Sequence, residues 1–371
     1  MSGKGCAKVI RVLTRGSLDD NSTISVRFNG CSFDISLSPD FFRNSPHTTD
    51  QYLRYLKVIH PAGPGEFEGI DEEEVFDWVI DTFQPLFNEC APEAPPSFDP
   101  DKIRSGEAKP VLSEYLFPKT FGCRLDAQDE TLLPRCIDDR GRFVPPRTYL
   151  DGDFLDDLET WTTLYEPTAV RVEFSNPDHA LDRMPSRVTV QDKSGCKMTC
   201  YFKGFGVGLP RGPLQRELEA YKKIHFSEGR HLGRLLGVVH EEKTDAILGM
   251  LLQYIDCEGK GTLDDRLWDE HVLLELRTRW AAQVKSAVKA LHDAGAVWGD
   301  AKPSNILIDQ EDNAWLTDFE GGYTEGWVDR DKAGTVEGDL QGLERIVKDI
   351  FEERKVESDT ESMQCDEIGK K

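Results

Sequence analysis

The segment Trp298-Gly299-Asp300-Ala301-Lys302-Pro303-Ser304-Asn305, followed after two short apolar runs by Asp318, holds the side chains best suited to chemistry. Asp300 and Lys302 stand two apart in what reads as extended backbone, so both point to the same side. The aspartate suits orienting or deprotonating a hydroxyl acceptor. The lysine suits neutralising charge on a migrating phosphoryl group. Asn305 and Asp318 add a carbonyl oxygen and a carboxylate, half of a Mg²⁺ site whose other positions go to water and phosphate. One acid, one cation and two metal-binding oxygens are what phosphoryl transfer asks of a protein, since its catalysis is mostly positioning and charge stabilisation.

Such a set needs rigid elements to hold it. Residues 306–309 and 314–317 read as apolar strands around the polar turn 310–313. Pairing Asp309 with Ala314 sets Ile306 opposite Thr317 and Asn305 opposite Asp318, at the open mouth of the hairpin. Upstream, helical spacing predicts a long helix over 268–294. Val272, Leu276, Trp280, Val284 and Val288 share one face, Leu273 and Leu291 lie beside it, and Gly295 is the C-cap. Strands are expected at 169–174, 187–191, 197–203, 235–241 and 246–254, with a short helix at 214–224 and a last helix at 338–353.

The chain has 371 residues, 45 basic against 68 acidic, for a net charge of −23. That surface repels phosphate backbones and anionic lipid, so neither nucleic acid nor a membrane is expected as a partner. Nine scattered cysteines without a companion histidine cluster read as reduced thiols. The longest apolar run, 246–255, is half a membrane span, and residues 1–15 lack the apolar core of a signal peptide. The expected location is the cytoplasm, with the nucleus also open.

The spacing Asp300-x-Lys302-x-x-Asn305, with Asp318-Phe319 after a hairpin, resembles the catalytic loop and metal-binding motif of the protein-kinase-like superfamily. The wording Trp-Gly-Asp-Ala-Lys-Pro-Ser-Asn, with Gly-Gly-Tyr-Thr-Glu-Gly-Trp-Val-Asp downstream, is similar to divergent fungal proteins with a protein-kinase domain. The likeness runs over residues 165–355. It implies an α+β, kinase-like two-lobed fold, a small β-rich lobe plus a truncated helical lobe. It also implies ATP and Mg²⁺ as cofactors and a hydroxyl-bearing acceptor, a protein Ser/Thr or a small molecule.

By the same resemblance Asp300 is the catalytic base and Lys302 the phosphate-neutralising cation, while Asn305 and Asp318 are the metal ligands. Lys203 takes the place of the strand lysine that grips nucleotide phosphates. Glu217 is its helix partner, with Glu219 the second choice. Tyr254 and Asp256 fall in the hinge that meets adenine, and Asp339 matches the aspartate that braces the catalytic loop, or else is a plain helix N-terminal acid. The departures are specific. No G-x-G-x-x-G precedes Lys203, Trp298 and Gly299 replace a histidine and an arginine, Glu320 replaces a glycine, and no A-P-E follows. Control by activation-loop phosphorylation and a peptide-docking platform are therefore not expected. Loss of catalysis, leaving an interaction or scaffold module, is the alternative function.

Residues 1–165 read as a separate α+β region without recognisable chemistry, 166–355 as the kinase-like domain, and 356–371 as a disordered acidic tail. In the first region Asn29-Gly30 joins two alternating runs as a hairpin, and 71–90 reads as a helix burying Val75, Trp78, Val79, Phe83 and Phe87.

Overall fold

The computed structural model describes residues 7–14, 20–60, 65–138, 147–181, 185–205, 211–227, 229–269 and 271–352. The expected acidic tail and most of the turn after Lys203 lie outside the described residues. The chain forms two compact units, Met1–Gly208 with Leu236–Leu251, and Leu209–Leu235 with Leu252–Lys371.

The first unit contains strands β1 (Lys8–Thr14), β2 (Ser22–Phe28), β3 (Cys31–Leu37) and β4 (Phe42–Arg43), helix α1 (Pro46–Ile59), the small ribbon β5 (Glu66–Phe67) and β6 (Ile70–Asp71), and helix α2 (Glu72–Cys90). Short helices α3 (Pro100–Ser105) and α4 (Leu112–Leu116) lead to β7 (Thr120–Gln128) and β8 (Thr131–Asp138). Helix α5 (Gly152–Trp161) precedes β9 (Leu164–Tyr165), β10 (Arg171–Val172), β11 (Arg187–Gln191) and β12 (Lys197–Gly204), and β13 (Leu235–Glu241) and β14 (Ala246–Gln253) complete the unit.

Two sheets result. One runs β1-β2-β3-β7-β4 with β8 paired to β7, and the other β10-β11-β12-β14-β13-β9. Asn29 and Gly30 both adopt positive φ, +46° and +75°, the primed turn that the β2–β3 hairpin needs. Asp71 caps α2 by accepting the Glu74 amide at 2.9 Å, and Val75, Val79, Phe83 and Phe87 line its buried stripe. Trp78 is only half-buried, at the edge of that core.

In the second sheet, alternation separates two faces. Val188, Cys200 and Phe202 are buried together with Phe98, Leu112 and Tyr115 from the preceding region. Arg187, Thr189, Thr199 and Tyr201 lie on the other face, Arg187 opposite Tyr201 and Thr189 opposite Thr199. Lys203, two further along β12, shares that face. The strand expected at 169–174 is cut to two residues because Ala169 closes a turn onto the Glu166 carbonyl and Val172 bonds sideways to Pro110.

The second unit comprises α6 (Arg211–His225), α7 (Leu263–Leu267), α8 (Leu274–Asp293), the hairpin β15 (Ile306–Ile308) and β16 (Ala314–Leu316), and α9 (Val336–Phe351). The expected long helix starts at Leu274 rather than 268. Asp269 accepts the His271 amide in an intervening turn, and Leu273, placed by helical spacing near the buried face, is 65% exposed. From Leu274 onward the stripe of Trp280, Val284, Val288 and Leu291 is buried as expected, and Gly295 caps the helix with φ +75°.

The hairpin register differs by one from the expectation. Ile306 opposes Leu316 and Ile308 opposes Ala314, so Asp309 faces Asn313 and Asn305 faces Thr317. The cause is the Asp309 carboxylate, which accepts from the Glu311 and Asn313 amides, the Asn313 side chain and the Trp315 indole, drawing Asp309 into the turn. Helix α8 grips that turn. The Trp280 indole donates to the Asp312 carbonyl at 3.0 Å, and Gln283 bonds both Asn313 and the Ala314 amide. No helix among the described residues is long and apolar enough to cross a membrane.

Candidate active site

The loop 298–305 runs from the end of α8 to β15, and its conformation is fixed by one side chain from another helix. Asp339, in the first turn of α9 and 1% exposed, accepts the Trp298 amide at 2.7 Å and the Gly299 amide at 2.8 Å. The His292 ring lies 2.8 Å from the same carboxylate. A buried carboxylate satisfied by such donors is stable and strongly directional. Thr335 caps α9 just before it, so Asp339 is more than a helix N-terminal acid. Trp298 is fully buried and donates its indole N–H to the Thr317 carbonyl at 3.0 Å, tying the loop to the end of β16. It acts as core packing, not as a binding platform.

The loop then presents Asp300, Lys302 and Asn305 together. The Lys302 Nζ lies 2.6 Å from Asp300 Oδ2, and the Asn305 Nδ2 donates to the Asp300 carbonyl at 2.9 Å. Thr324 Oγ1 donates to Asp300 Oδ1 at 2.9 Å and accepts from Lys302 Nζ at 2.9 Å. Both charged side chains are therefore held at both ends. Thr324 carries no signal in the sequence beyond a hydroxyl in the glycine-rich run Gly321-Gly322-Tyr323-Thr324. The arrangement depends on small residues. Gly299 has φ +87°, and a Cβ there would lie 2.7 Å from the Gly321 Cα. The arginine that the resemblance places at this position has no room.

Asp318 leaves the hairpin in the left-handed region, φ +62°. With the register shifted it does not face Asn305 across the ladder, as expected; Thr317 takes that place, its amide and hydroxyl both donating to the Asn305 carbonyl. Asp318 instead joins Glu217 of α6 and Glu320, the three offering carboxylate oxygens within 4.8 Å of one another. Glu217 is 1% exposed, so it is no solvated helix face. Phe319 between the two acids is buried edge-on against Tyr221, with ring centroids 5.2 Å apart. Burial, then the negative charges of Glu217, Asp318 and Glu320, push the Tyr221 phenol well above its ordinary range. Sequence alone ties Glu320 to Asp318 but gives no sign that α6 brings Glu217 to the same point.

The remaining expected residues are placed as follows. Lys203 lies near the end of β12 in the first unit, half-buried. Tyr254 and Asp256 follow β14 in an irregular segment of the second unit. The Asp256 carbonyl accepts the Gln310 amide at 2.8 Å, and its carboxylate accepts the Glu258 amide at 3.1 Å, docking this segment on the hairpin.

Residues 211–339 match the family model described as protein kinase domain. Over 118 residues, 32% of this chain and 16% of the relative, the sequence is 36% identical to maternal embryonic leucine zipper kinase of Danio rerio. Over 106 residues, 28% of each chain, it is 34% identical to serine/threonine-protein kinase Sgk2 of Rattus norvegicus. A longer stretch of 170 residues, 44% of this chain and 23% of the relative, is 29% identical to the leucine zipper kinase of Xenopus tropicalis. The chain thus spans less than a third of the length of each of these relatives. Residues 211–339 form a protein kinase-like domain, and the fold is α+β.

Proposed function

We propose that the protein is a divergent ATP- and Mg²⁺-dependent phosphotransferase that moves a γ-phosphate to a hydroxyl acceptor, a protein Ser/Thr or a small molecule. One observation carries the reading: Asp300, Lys302 and Thr324 form a closed set of contacts of 2.6–2.9 Å on a loop braced by Asp339. Asp300 accepts the proton of the incoming hydroxyl or aligns it, with Lys302 and Thr324 fixing its rotamer. Lys302, tethered between Asp300 and Thr324, places a positive charge where phosphoryl oxygens pass.

The Asp318 cluster fits a divalent cation, because carboxylates held this close repel one another unless a cation sits among them. Asp318 and the Asn305 side-chain oxygen would hold Mg²⁺, which when bound neutralises phosphate charge. The family resemblance assigns Lys203 to the nucleotide phosphates, with Glu217 as its partner, and Tyr254 and Asp256 to the adenine.

The test is Asp300→Asn. Loss of a positioned general base predicts about 10²–10⁴-fold slower ATP-dependent transfer, with nucleotide binding retained in a thermal-shift titration. Equal rates for both proteins would rule out the assignment. A second reading, a non-catalytic interaction or scaffold module, draws on two observations. Glu320 adds a third acid at the cation position, and the sheet face bearing Lys203 is polar and bulky, with Arg187, Thr189, Thr199 and Tyr201 rather than the apolar lining usual in ligand pockets. Absence of any shift in unfolding midpoint at millimolar ATP with Mg²⁺ would favour that reading.

A further inference from the structure

Cys90, Cys123 and Cys136 are well separated in sequence yet meet in the first unit. Cys123 of β7 and Cys136 of β8 oppose each other directly in the antiparallel ladder. Cys90 is the last residue of α2, which packs against β8. The Cys136 thiol lies within hydrogen-bonding reach of both other sulfurs. None of the three is joined in a disulfide, and they differ in access. Cys136 is exposed, Cys90 half-buried and Cys123 fully buried.

Two chemistries suit three neighbouring thiols, a soft metal or disulfide exchange. Among the described residues, only Glu217, Asp318 and Glu320 bring three ligand atoms within 4.8 Å of one another, so the thiols form no ready metal cage. Exchange needs an accessible attacking sulfur and a neighbouring second thiol, and the exposed Cys136 and the half-buried Cys90 beside it supply these. Burial raises the Cys123 thiol far above its usual range, which leaves almost no thiolate there. Burial and the neighbouring Cys136 also raise Cys90, but from a half-exposed position.

We propose that Cys136 is a thiol–disulfide exchange site for small-molecule disulfides of the oxidised-glutathione class, resolved by Cys90. The Cys136 sulfur, having given its proton to solvent, attacks one sulfur of the small disulfide. The S–S bond breaks and one small thiol leaves, taking up a proton. The Cys90 sulfur then gives up its proton, attacks the Cys136 sulfur and expels the second small thiol. Two protein thiols are oxidised to one disulfide linking the end of α2 to β8, and one small disulfide is reduced to two thiols.

The test incubates the full-length protein with oxidised glutathione, quenches with acid and maps peptides by mass spectrometry. Cys196, the other exposed cysteine among the described residues, serves as the internal reference. The expected result is a linked peptide pair containing Cys90 and Cys136, lighter by two hydrogens and reversed by dithiothreitol. In Cys90→Ser the reaction stops at a glutathione adduct on Cys136, and in Cys136→Ser no linked pair forms. Because the wild-type map alone decides the central point, a variant that folds poorly does not blur the result. A Cys123–Cys136 link in place of the Cys90 pair, glutathione on Cys136 no faster than on Cys196, or an unmodified wild-type protein would each overturn the proposal.

Discussion

Gly299 and Gly321 pass so closely that a Cβ on the first would stand 2.7 Å from the Cα of the second, and Gly299 holds φ +87°. The loop bearing Asp300 and the segment bearing Thr324 can approach this closely only because residue 299 has no side chain. Gly299→Ala combines a left-handed backbone penalty with overpacking, and should cost about 2–4 kcal/mol. Urea unfolding measures this directly. A loss below about 0.5 kcal/mol, the range of ordinary surface changes, would mean that the contact is loose.

Asp339 governs the same loop from below. Asp339→Ala leaves the buried amides of Trp298 and Gly299 without acceptors, and should destabilise by roughly 3–5 kcal/mol. Asp339→Asn keeps one acceptor oxygen and should retain part of the loss. If the two variants unfold at the same urea concentration, the carboxylate geometry is not what matters.

Thr324 separates a positioning role from simple packing. Thr324→Val preserves shape but removes the hydroxyl that joins Asp300 to Lys302. A hydrogen bond to a charged group contributes about 1.5–3 kcal/mol, so ATP turnover should fall by about 10–100-fold. Thr324→Ser should restore it. A valine variant with full turnover would remove Thr324 from the machinery.

The three-carboxylate cluster predicts a stability effect that depends on cation. Glu320→Gln relieves repulsion with Asp318 and Glu217, and in chelator it should raise stability, on the order of 1 kcal/mol. Added Mg²⁺ should then stabilise the wild type more than the variant. Thermal unfolding at matched ionic strength reads both effects, and equal responses to Mg²⁺ would show that Glu320 does not face the ion.

Asp309 makes the hairpin acid-sensitive. Burial works to raise its pKa, but bonds from the Asn313 amide, the Trp315 indole, the Asn313 side chain and the Glu311 amide outweigh it and hold the carboxyl below the usual carboxylate range. Its folded pKa lies below its unfolded one. The stabilisation is therefore complete above the ordinary carboxylate value and is lost as pH falls through the lowered one. The advantage of wild type over Asp309→Asn should be constant at neutral pH and shrink below about pH 4. An advantage that does not change with pH would place the effect elsewhere.

Local rules were enough for much of this protein. The Asn29-Gly30 hairpin, the Asp71-capped α2, the strands at Arg187–Gln191 and Leu235–Glu241 and the Gly295 cap are written in short-range sequence because turn chemistry and periodicity act over a few residues. The same holds for the proximity of Asp300, Lys302 and Asn305, which one loop supplies.

What lay beyond the sequence depends on elements far apart in the chain. The register of β15 and β16 turned on the Asp309 side chain, whose preference for the turn overrode the pairing that hydrophobic alternation suggests. The meeting of Glu217 with Asp318 and Glu320, the hold of Asp339 on residues 298 and 299, and the convergence of Cys90 and Cys123 on Cys136 all required packing of separate helices and strands. Sequence set which residues could do chemistry, since residue type and local spacing carry that information. Tertiary structure decided which of them meet, because long-range contacts are selected by burial of whole faces and by satisfaction of buried polar groups, neither of which any short stretch of chain encodes.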